Sequence, residues 1–308
     1  MQSLGIISPT KSVWNGVMIA VNRIIQGECP DALEEIPNDV IDLIITSPPY
    51  ANKRRANYKG VSSHGYVEWF LPVAGALHRM LKPTGSFVLN IKENCRNGER
   101  ETYVLELILA LKDQGWLWVE EYCWYKKNSY PGRWPNRFRD NWERCLHFTK
   151  RRRFKMYQDA VRVPIGDWAK QRFKSMGEHD FIRYASGTNS DFARNVSNWL
   201  NRKKVYPHNV LVFEKEHYVE PTTVLNLATE CSNRNHSAVF PIELPSWFIR
   251  LLTKKGDVVL DPFGGVGTTA LASLLLGRNY IVIEDSGVYV KEAIKNVNEL
   301  KAILKTKG

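Results

Sequence analysis

The sequence predicts an α/β fold: a parallel sheet covered by helices and interrupted by an inserted basic region. Three observations point to it. Apolar runs of strand length alternate with segments of helical period in the first and last parts of the chain. That rhythm stops between about residues 150 and 235, where Arg, Lys, Asn, Ser and aromatics dominate. The charge is uneven too. Between Trp124 and Lys215 stand 21 Lys+Arg against 8 Asp+Glu, while the remainder holds 22 against 24, so one segment carries the whole surplus of +11.

In chain order, VIDLIIT (40–46) and SFVLNI (86–91) are continuous apolar runs bounded by turn residues, the pattern of buried strands. Between them YVEWFLPVAGALHRML (66–81) has helical spacing, ended by a Pro83-Thr84-Gly85 turn. ETYVLELILALKD (101–113) is a second helix, and LWVEEYCWY (117–125) and RCLHFT (144–149) are further strands. Beyond the basic stretch come a strand GDVVLD (256–261), a helix TTALASLLLG (268–277) and a strand NYIVIE (279–284). A closing helix from Ser286 puts Val290, Ile294 and Val297 on one face. The expected division is an α/β part at 1–150, a recognition region at 151–235, and a part at 236–308 that completes the first.

Apolar residues at 44% and charged residues at 24% exclude a disordered chain. No apolar run approaches the roughly 18 residues of a membrane helix, so no membrane partner is expected. The N-terminus lacks a basic start followed by an apolar stretch, and none of the five cysteines forms a C-x-x-C pair. Those features predict a reduced, cytoplasmic setting without disulfides or structural zinc. His64, His78, His147 and His208 form no cluster with metal-ligand spacing, so they are expected to be structural or exposed, with no metal. The basic segment also holds Trp134, Trp142, Trp168 and Trp199. Concentrated positive charge of this kind is the footprint of a polyanion partner, against the plainer reading of a solvated basic face.

Two constellations carry chemistry. The first runs from Asp261 through Pro262, Phe263, Gly264, Gly265, Val266, Gly267, Thr268 and Thr269 to Ala270, between a strand and a helix. Gly265, Gly267 and Ala270 fit a G-x-G-x-x-A turn, whose glycines let a nucleotide approach a helix N-terminus. Glu284 follows Gly265 by 19 residues, at the end of the next strand, where an acid can bind ribose hydroxyls. A Walker A loop is excluded, because no Lys precedes Thr268. Alone, the pattern also fits a Gly-rich turn that merely closes a strand. The second constellation is Thr46-Ser47-Pro48-Pro49-Tyr50, at the end of a buried strand, where ligands of open α/β sheets bind. Prolines stiffen the backbone, so their carbonyls can face a ligand; Ser47 adds an oxygen and Tyr50 an aromatic plane. Such a cluster suits a flat ligand with an amino group, though a Pro-terminated strand with Tyr50 in the core has the same sequence.

One motif offers an adenosine-type site and the other a nucleobase-type site. Only about 38 residues follow Ala270, so the substrate chemistry lies upstream, unlike the usual order of a dehydrogenase. Both ends of the chain then supply strands to one sheet, which is a circularly permuted order.

With these motifs the sequence resembles the permuted, β-class amino-group DNA methyltransferases of type II restriction–modification systems, in particular their N4-cytosine branch. The likeness spans about 20–150 and 225–300 and includes Leu-Lys-Pro-x-Gly-Ser-Phe-Val-Leu-Asn-Ile (81–91) and the segment from Asn235 and His236 to Phe240 and Pro241. It implies a Rossmann-like S-adenosylmethionine-dependent methyltransferase sheet. It also implies a catalytic pocket of Ser47, Pro48, Pro49 and Tyr50, and a cofactor site of Thr46, Asp261, Pro262, Phe263, Gly264, Gly265, Gly267, Thr268 and Thr269. Glu284 takes the ribose, Phe240 and Pro241 wall the cofactor, and His236 positions its edge. The family has Gly-Ser-Gly where this chain has Gly265-Val266-Gly267, and Gly-Asp where it has Gly27-Glu28, which weakens a cofactor role for Glu28.

The reaction so implied moves a methyl group from S-adenosylmethionine to the exocyclic N4 amine of a flipped cytosine in double-stranded DNA, without a metal. No Pro-Cys dipeptide is present, so the C5-cytosine route lacks its nucleophile. Ser before Pro-Pro-Tyr leans toward cytosine; N6-adenine methylation and a silent nucleic-acid-binding protein are the alternatives. Phosphates are assigned to Arg151, Arg152 and Arg153, with Lys150 and Lys155 beside them, and the loop from Asn128 to Trp134, with Arg133, encloses the extruded base. SDFARNVSNWLNRKK (190–204) has helical spacing with Arg194, Asn198 and Asn201 on its polar face, either a base-reading helix or an ordinary surface helix. A monomer or weak homodimer is expected, with a cognate restriction endonuclease acting on the same site without a stable complex.

Overall fold

The computed structural model describes residues 10–14, 16–52, 60–126, 135–167, 171, 174–175, 203–213 and 240–306, without the side chains of Trp14 and Val17. The chain falls into two compact units, residues 1–156 with 209–308 and residues 157–208, the second narrower than the region expected at 151–235.

The first unit opens with an antiparallel hairpin of β1 (Thr10–Trp14) and β2 (Val17–Val21). Next come β3 (Arg23–Gln26), α1 (Cys29–Glu34), β4 (Ile41–Thr46), α2 (Tyr66–Met80) and β5 (Leu81–Ile91). A small hairpin follows, β6 (Cys95–Arg96) and β7 (Glu99–Arg100), then α3 (Tyr103–Asp113), β8 (Leu117–Tyr125) and β9 (Trp142–Thr149). The second unit contributes β10 (Val163–Pro164) paired antiparallel with β11 (Lys204–Val205). The first unit resumes with β12 (Val210–Val212), α4 (Glu243–Leu252), β13 (Val258–Asp261), α5 (Thr268–Leu275), β14 (Asn279–Glu284) and α6 (Gly287–Thr306).

Among the described residues eight of these strands form one sheet in the order β12-β8-β9-β5-β4-β13-β14-β3. Late strands β13 and β14 lie between early strands β4 and β3. β4 is buried throughout, which is why Leu43, Ile44 and Ile45 follow one another without polar alternation. On α2, Tyr66, Phe70, Val73, Ala74, Leu77 and Met80 recur at helical spacing and are buried in the same core as Phe87, Leu260 and Ile281.

Two expectations are corrected, and a third lies almost wholly outside the described residues. The sheet is mixed, because β9 runs antiparallel to both β5 and β8. An antiparallel return needs no crossover helix, and none stands among the described residues between β8 and β9. Pro83-Thr84-Gly85 does not separate a helix from a strand: β5 begins at Leu81, which pairs with Ile41, and the extra residues bulge out before Ser86 pairs with Leu43. The expected helix at 190–204 lies outside the described residues except at its end, and there Lys204 stands in a strand.

The amino-terminal edge of the parallel strands is closed by an ion cluster. Buried Asp42 accepts from Lys82 Nζ at 2.7 Å, Lys155 Nζ at 3.2 Å and the Val258 amide at 3.0 Å. Lys150 Nζ reaches Asp39 and the Leu81 carbonyl, each at 2.8 Å.

Candidate active site

At the carboxyl edge of the sheet the two constellations meet. β4 and β13 are paired neighbours, Leu43 beside Val259 and Ile44 beside Leu260, so both motifs leave the sheet side by side. The Thr46 hydroxyl donates to Asp261 Oδ1 at 2.6 Å, across 215 residues of chain. Thr269 donates to Asp261 Oδ2 at 2.6 Å, and the Phe263 amide to Oδ1 at 3.1 Å. Asp261 thus ties three segments together while buried. Burial pushes its carboxyl above the ordinary value, and the hydrogen bonds from Thr269, Thr46 and Phe263 work against that rise.

The glycine loop is shaped from below. A Cβ on Gly264 would stand 2.0 Å from Val282 Cγ1, so no larger residue fits there. Gly267 turns the chain into α5 at φ +86°, a conformation that glycine adopts without steric cost. Glu284 is buried at the end of β14 and accepts from the Gly265 amide at 2.8 Å and the Ser286 amide at 2.9 Å. The Asn296 side chain of α6 holds the Val266 carbonyl at 3.0 Å. A Cβ on Gly265 would meet nothing within 4 Å. A loop pinned on its protein side, open above Gly265 and leading into a helix N-terminus, fits an adenosine-bearing cofactor.

The other expected cofactor residues take varied places. Phe263 is half-buried, its ring 5.7 Å from Trp69. Thr268 is buried in the first turn of α5, and Pro262 is buried. Glu28 is exposed and precedes α1. Its neighbour Gly27 donates to the Glu284 carbonyl at 3.1 Å, which brings Glu28 to the same edge. Phe240 is buried and Pro241 half-buried just ahead of α4, which packs on β4 and α5.

Around the second motif, Tyr66 of α2 donates to the Pro49 carbonyl at 2.9 Å and holds the Pro-Pro segment. Ser47 is half-buried and its hydroxyl points at the Tyr50 oxygen, 3.4 Å away. Tyr50 donates to Glu143 Oε2 at 2.7 Å and lies 3.4 Å from Asn90 Oδ1. Burial and the Glu143 charge raise the Tyr50 phenol well above its ordinary value, so the ring keeps its proton. Asn52, just after the motif, binds Glu101 at 3.0 Å, and Ser63 binds the same carboxylate at 2.6 Å. Sequence reasoning misses Asn90, Glu143, Tyr66 and Asn296. A polar residue ending the apolar run SFVLN is the available signal for the first.

The expected DNA contacts fall partly outside the described residues. Arg133, Arg194, Asn198 and Asn201 lie outside the described residues, as does His236. Arg151, Arg152 and Arg153 are exposed, but they follow Thr149, at the amino edge of the sheet. β9 runs backwards, and Thr149 already lies three residues, roughly 10 Å, from the level of Thr46. The neighbouring Lys150 and Lys155 are engaged with Asp39 and Asp42. This arginine run therefore stands away from Ser47. His147 is buried and hydrogen-bonded to Ser86 Oγ at 2.9 Å, a core residue as expected.

A family model described as DNA methylase, the N6/N4 methyltransferase model, matches residues 41–295. The chain belongs to the DNA methylase family. It is 29% identical over 279 residues to the type II methyltransferase M.PvuII of Proteus hauseri, covering 86% of this chain and 80% of that protein. To the type II methyltransferase M1.MboII of Moraxella bovis it is 26% identical over 289 residues, covering 92% and 99%. Among solved structures, the cytosine-N4-specific PvuII DNA methyltransferase superposes with a TM-score of 0.64 at 26% identity, covering 92% of each chain. The Thermus thermophilus protein TTHA0409, solved complexed with S-adenosyl-L-methionine, shares the fold with a TM-score of 0.58 at 20% identity, covering 91% of this chain and 94% of that one. No helix among the described residues is long and apolar enough to cross a membrane.

Proposed function

We propose that the protein transfers a methyl group from S-adenosylmethionine to the exocyclic N4 amine of a cytosine flipped out of double-stranded DNA, in a type II restriction–modification system. The observation that carries the reading is the Thr46–Asp261 hydrogen bond, which sets Ser47 and the glycine loop side by side on one sheet edge. The strand order, with both ends of the chain interleaved, supports reading the sequence as permuted.

S-adenosylmethionine supplies an electrophilic methyl carbon when bound. Its site would be the loop from Asp261 to Thr268, with Glu284 toward the ribose and Phe263, Phe240 and Pro241 as apolar walls. An exocyclic amine is a poor nucleophile, because its lone pair is delocalised into the ring. The Ser47 hydroxyl and the Pro48 carbonyl accept its two N–H bonds, and Tyr50 stacks on the ring. As the nitrogen becomes tetrahedral and positive, those fixed acceptors bind it more strongly, which lowers the barrier. Alignment of amine and methyl carbon contributes up to roughly 7–11 kcal/mol in favourable cases. Arg133 and the basic residues of the 157–208 unit are the candidates for holding DNA, with Arg194, Asn198 and Asn201 reading bases.

Incubation with plasmid DNA and labelled S-adenosylmethionine, followed by mass spectrometry of the nucleosides, tests the reading. N4-methylcytosine is the expected product. N6-methyladenine, the other amine the family model covers, would change the base assignment, and unlabelled DNA would end the proposal.

A further inference from the structure

The acid behind Tyr50 is the strongest group at this edge that the proposed reaction leaves unused. Glu143 opens β9 as its second residue and is buried, although it lies inside the basic segment. Three elements converge on its carboxylate. Tyr50 donates to Oε2 at 2.7 Å, the Asn90 amide of β5 donates to the same oxygen at 3.3 Å, and Lys126, just past β8, is ion-paired to Oε1. Asn90 is itself fixed, donating to the Arg144 carbonyl at 3.1 Å. The carboxylate therefore cannot swing away from the tyrosine without leaving two other partners.

We infer that Glu143 is a positioning residue that sets the direction of the hydrogen bonds in the base pocket and thereby keeps Ser47 an acceptor. This inference rests on the methyl-transfer reading above. Its basis is the inventory of donors and acceptors around Tyr50. An ion-paired carboxylate only accepts, so the single phenolic proton of Tyr50 is committed to Glu143. The Tyr50 oxygen is then left as an acceptor on its other side, and the Ser47 hydroxyl points its own proton there, 3.4 Å away. With its proton so directed, the lone pairs of Ser47 Oγ face outward, which is what an amine presenting two N–H bonds requires. Replacing the carboxylate by an amide reverses the logic. An amide N–H can donate to the Tyr50 oxygen, and the phenolic proton then turns onto Ser47 and occupies a lone pair the substrate needs.

The test is a double-mutant cycle on Glu143→Gln and Tyr50→Phe in the full-length protein, scored by methyl transfer to DNA, with the KM for S-adenosylmethionine and the melting temperature of each variant measured alongside. E143Q is expected to lower kcat at least tenfold, with the KM for S-adenosylmethionine within twofold of the unaltered protein. In the Y50F background the same change is expected to alter kcat less than twofold, because the route to Ser47 is already cut. A merely structural Glu143 would cost the same factor in both backgrounds, and that result overturns the inference, as does an E143Q enzyme of undiminished kcat. Glu143→Asp keeps the charge toward Lys126 but withdraws the carboxylate by one methylene. It carries the same cycle where E143Q melts early, and its loss too must vanish without the Tyr50 hydroxyl. Unaltered protein that transfers no methyl to DNA would remove the functional reading and this inference together. A normal unaltered enzyme with additive variants removes the inference alone.

Discussion

The two edges of the sheet each bury an aspartate, and they treat it in opposite ways. At the amino edge Asp42 is neutralised by two lysines and a backbone amide. At the carboxyl edge Asp261 is held by two threonine hydroxyls and one amide, all neutral donors. A buried charge met by an opposite charge is a lock: removing one partner strands the other. A buried carboxylate held by neutral donors orients loops without adding positive charge where a cationic methyl donor would sit. The same residue type thus acts as a charge lock at one edge and as a tie between loops at the other.

The contrast can be broken by substitution. Asp42→Ala should have the largest effect on folding, about 3–5 kcal/mol, because it takes the carboxylate away from the buried Lys82 ammonium. Denaturant titration measures this, and a loss below about 1 kcal/mol would mean the cluster is not a lock. Ser47→Ala should do the reverse, lowering kcat roughly 100- to 1000-fold, about 2.7–4 kcal/mol, with the folding free energy within about 0.5 kcal/mol. A Ser47→Ala enzyme of full activity would show that the pocket chemistry lies elsewhere.

A finer distinction comes from pH. Burial lowers the His147 pKa to about 3, from 6.5. The folded state thus takes up its proton far less readily than the unfolded chain. Stability should fall as pH drops from 6.5 toward 3, by an amount on the order of a few kcal/mol. Replacing His147 by Phe should flatten that part of the acid-unfolding curve, and an unchanged slope would assign it to other groups. The smallest effect is expected from changing Arg151, Arg152 and Arg153 together to Ala. Because they sit at the amino edge, the salt dependence of DNA binding should stay as it is, whereas a shallower slope would place them on phosphates.

Much of this is legible in the sequence, for reasons that differ by element. Strands β4, β13 and β14 can be read because strands buried on both faces are continuously apolar, and α2 because its core residues keep a helical period. The meeting of the Ser47 and Gly265 segments follows from their complementary chemistry, and Thr46 and Asp261 join them. The antiparallel course of β9 is not legible, since RCLHFT looks the same in either direction. Nor is the place of the arginine run. Composition shows that charge is concentrated, but only the reversal of β9 shows which edge receives it. Glu143 escapes for a related reason: its partners Tyr50, Asn90 and Lys126 belong to three different segments, and no local pattern announces such a convergence.

The interleaving of β13 and β14 between β4 and β3 has a consequence for how the molecule comes into being. During synthesis β4 emerges with one side awaiting a partner roughly 200 residues further along, an exposed apolar edge that invites pairing with other chains. Closure over so long a loop makes assembly slow compared with a fold of local contacts. It also makes the Ser47 segment and the glycine loop mature together, since neither finds its neighbour until the central strands have slotted in.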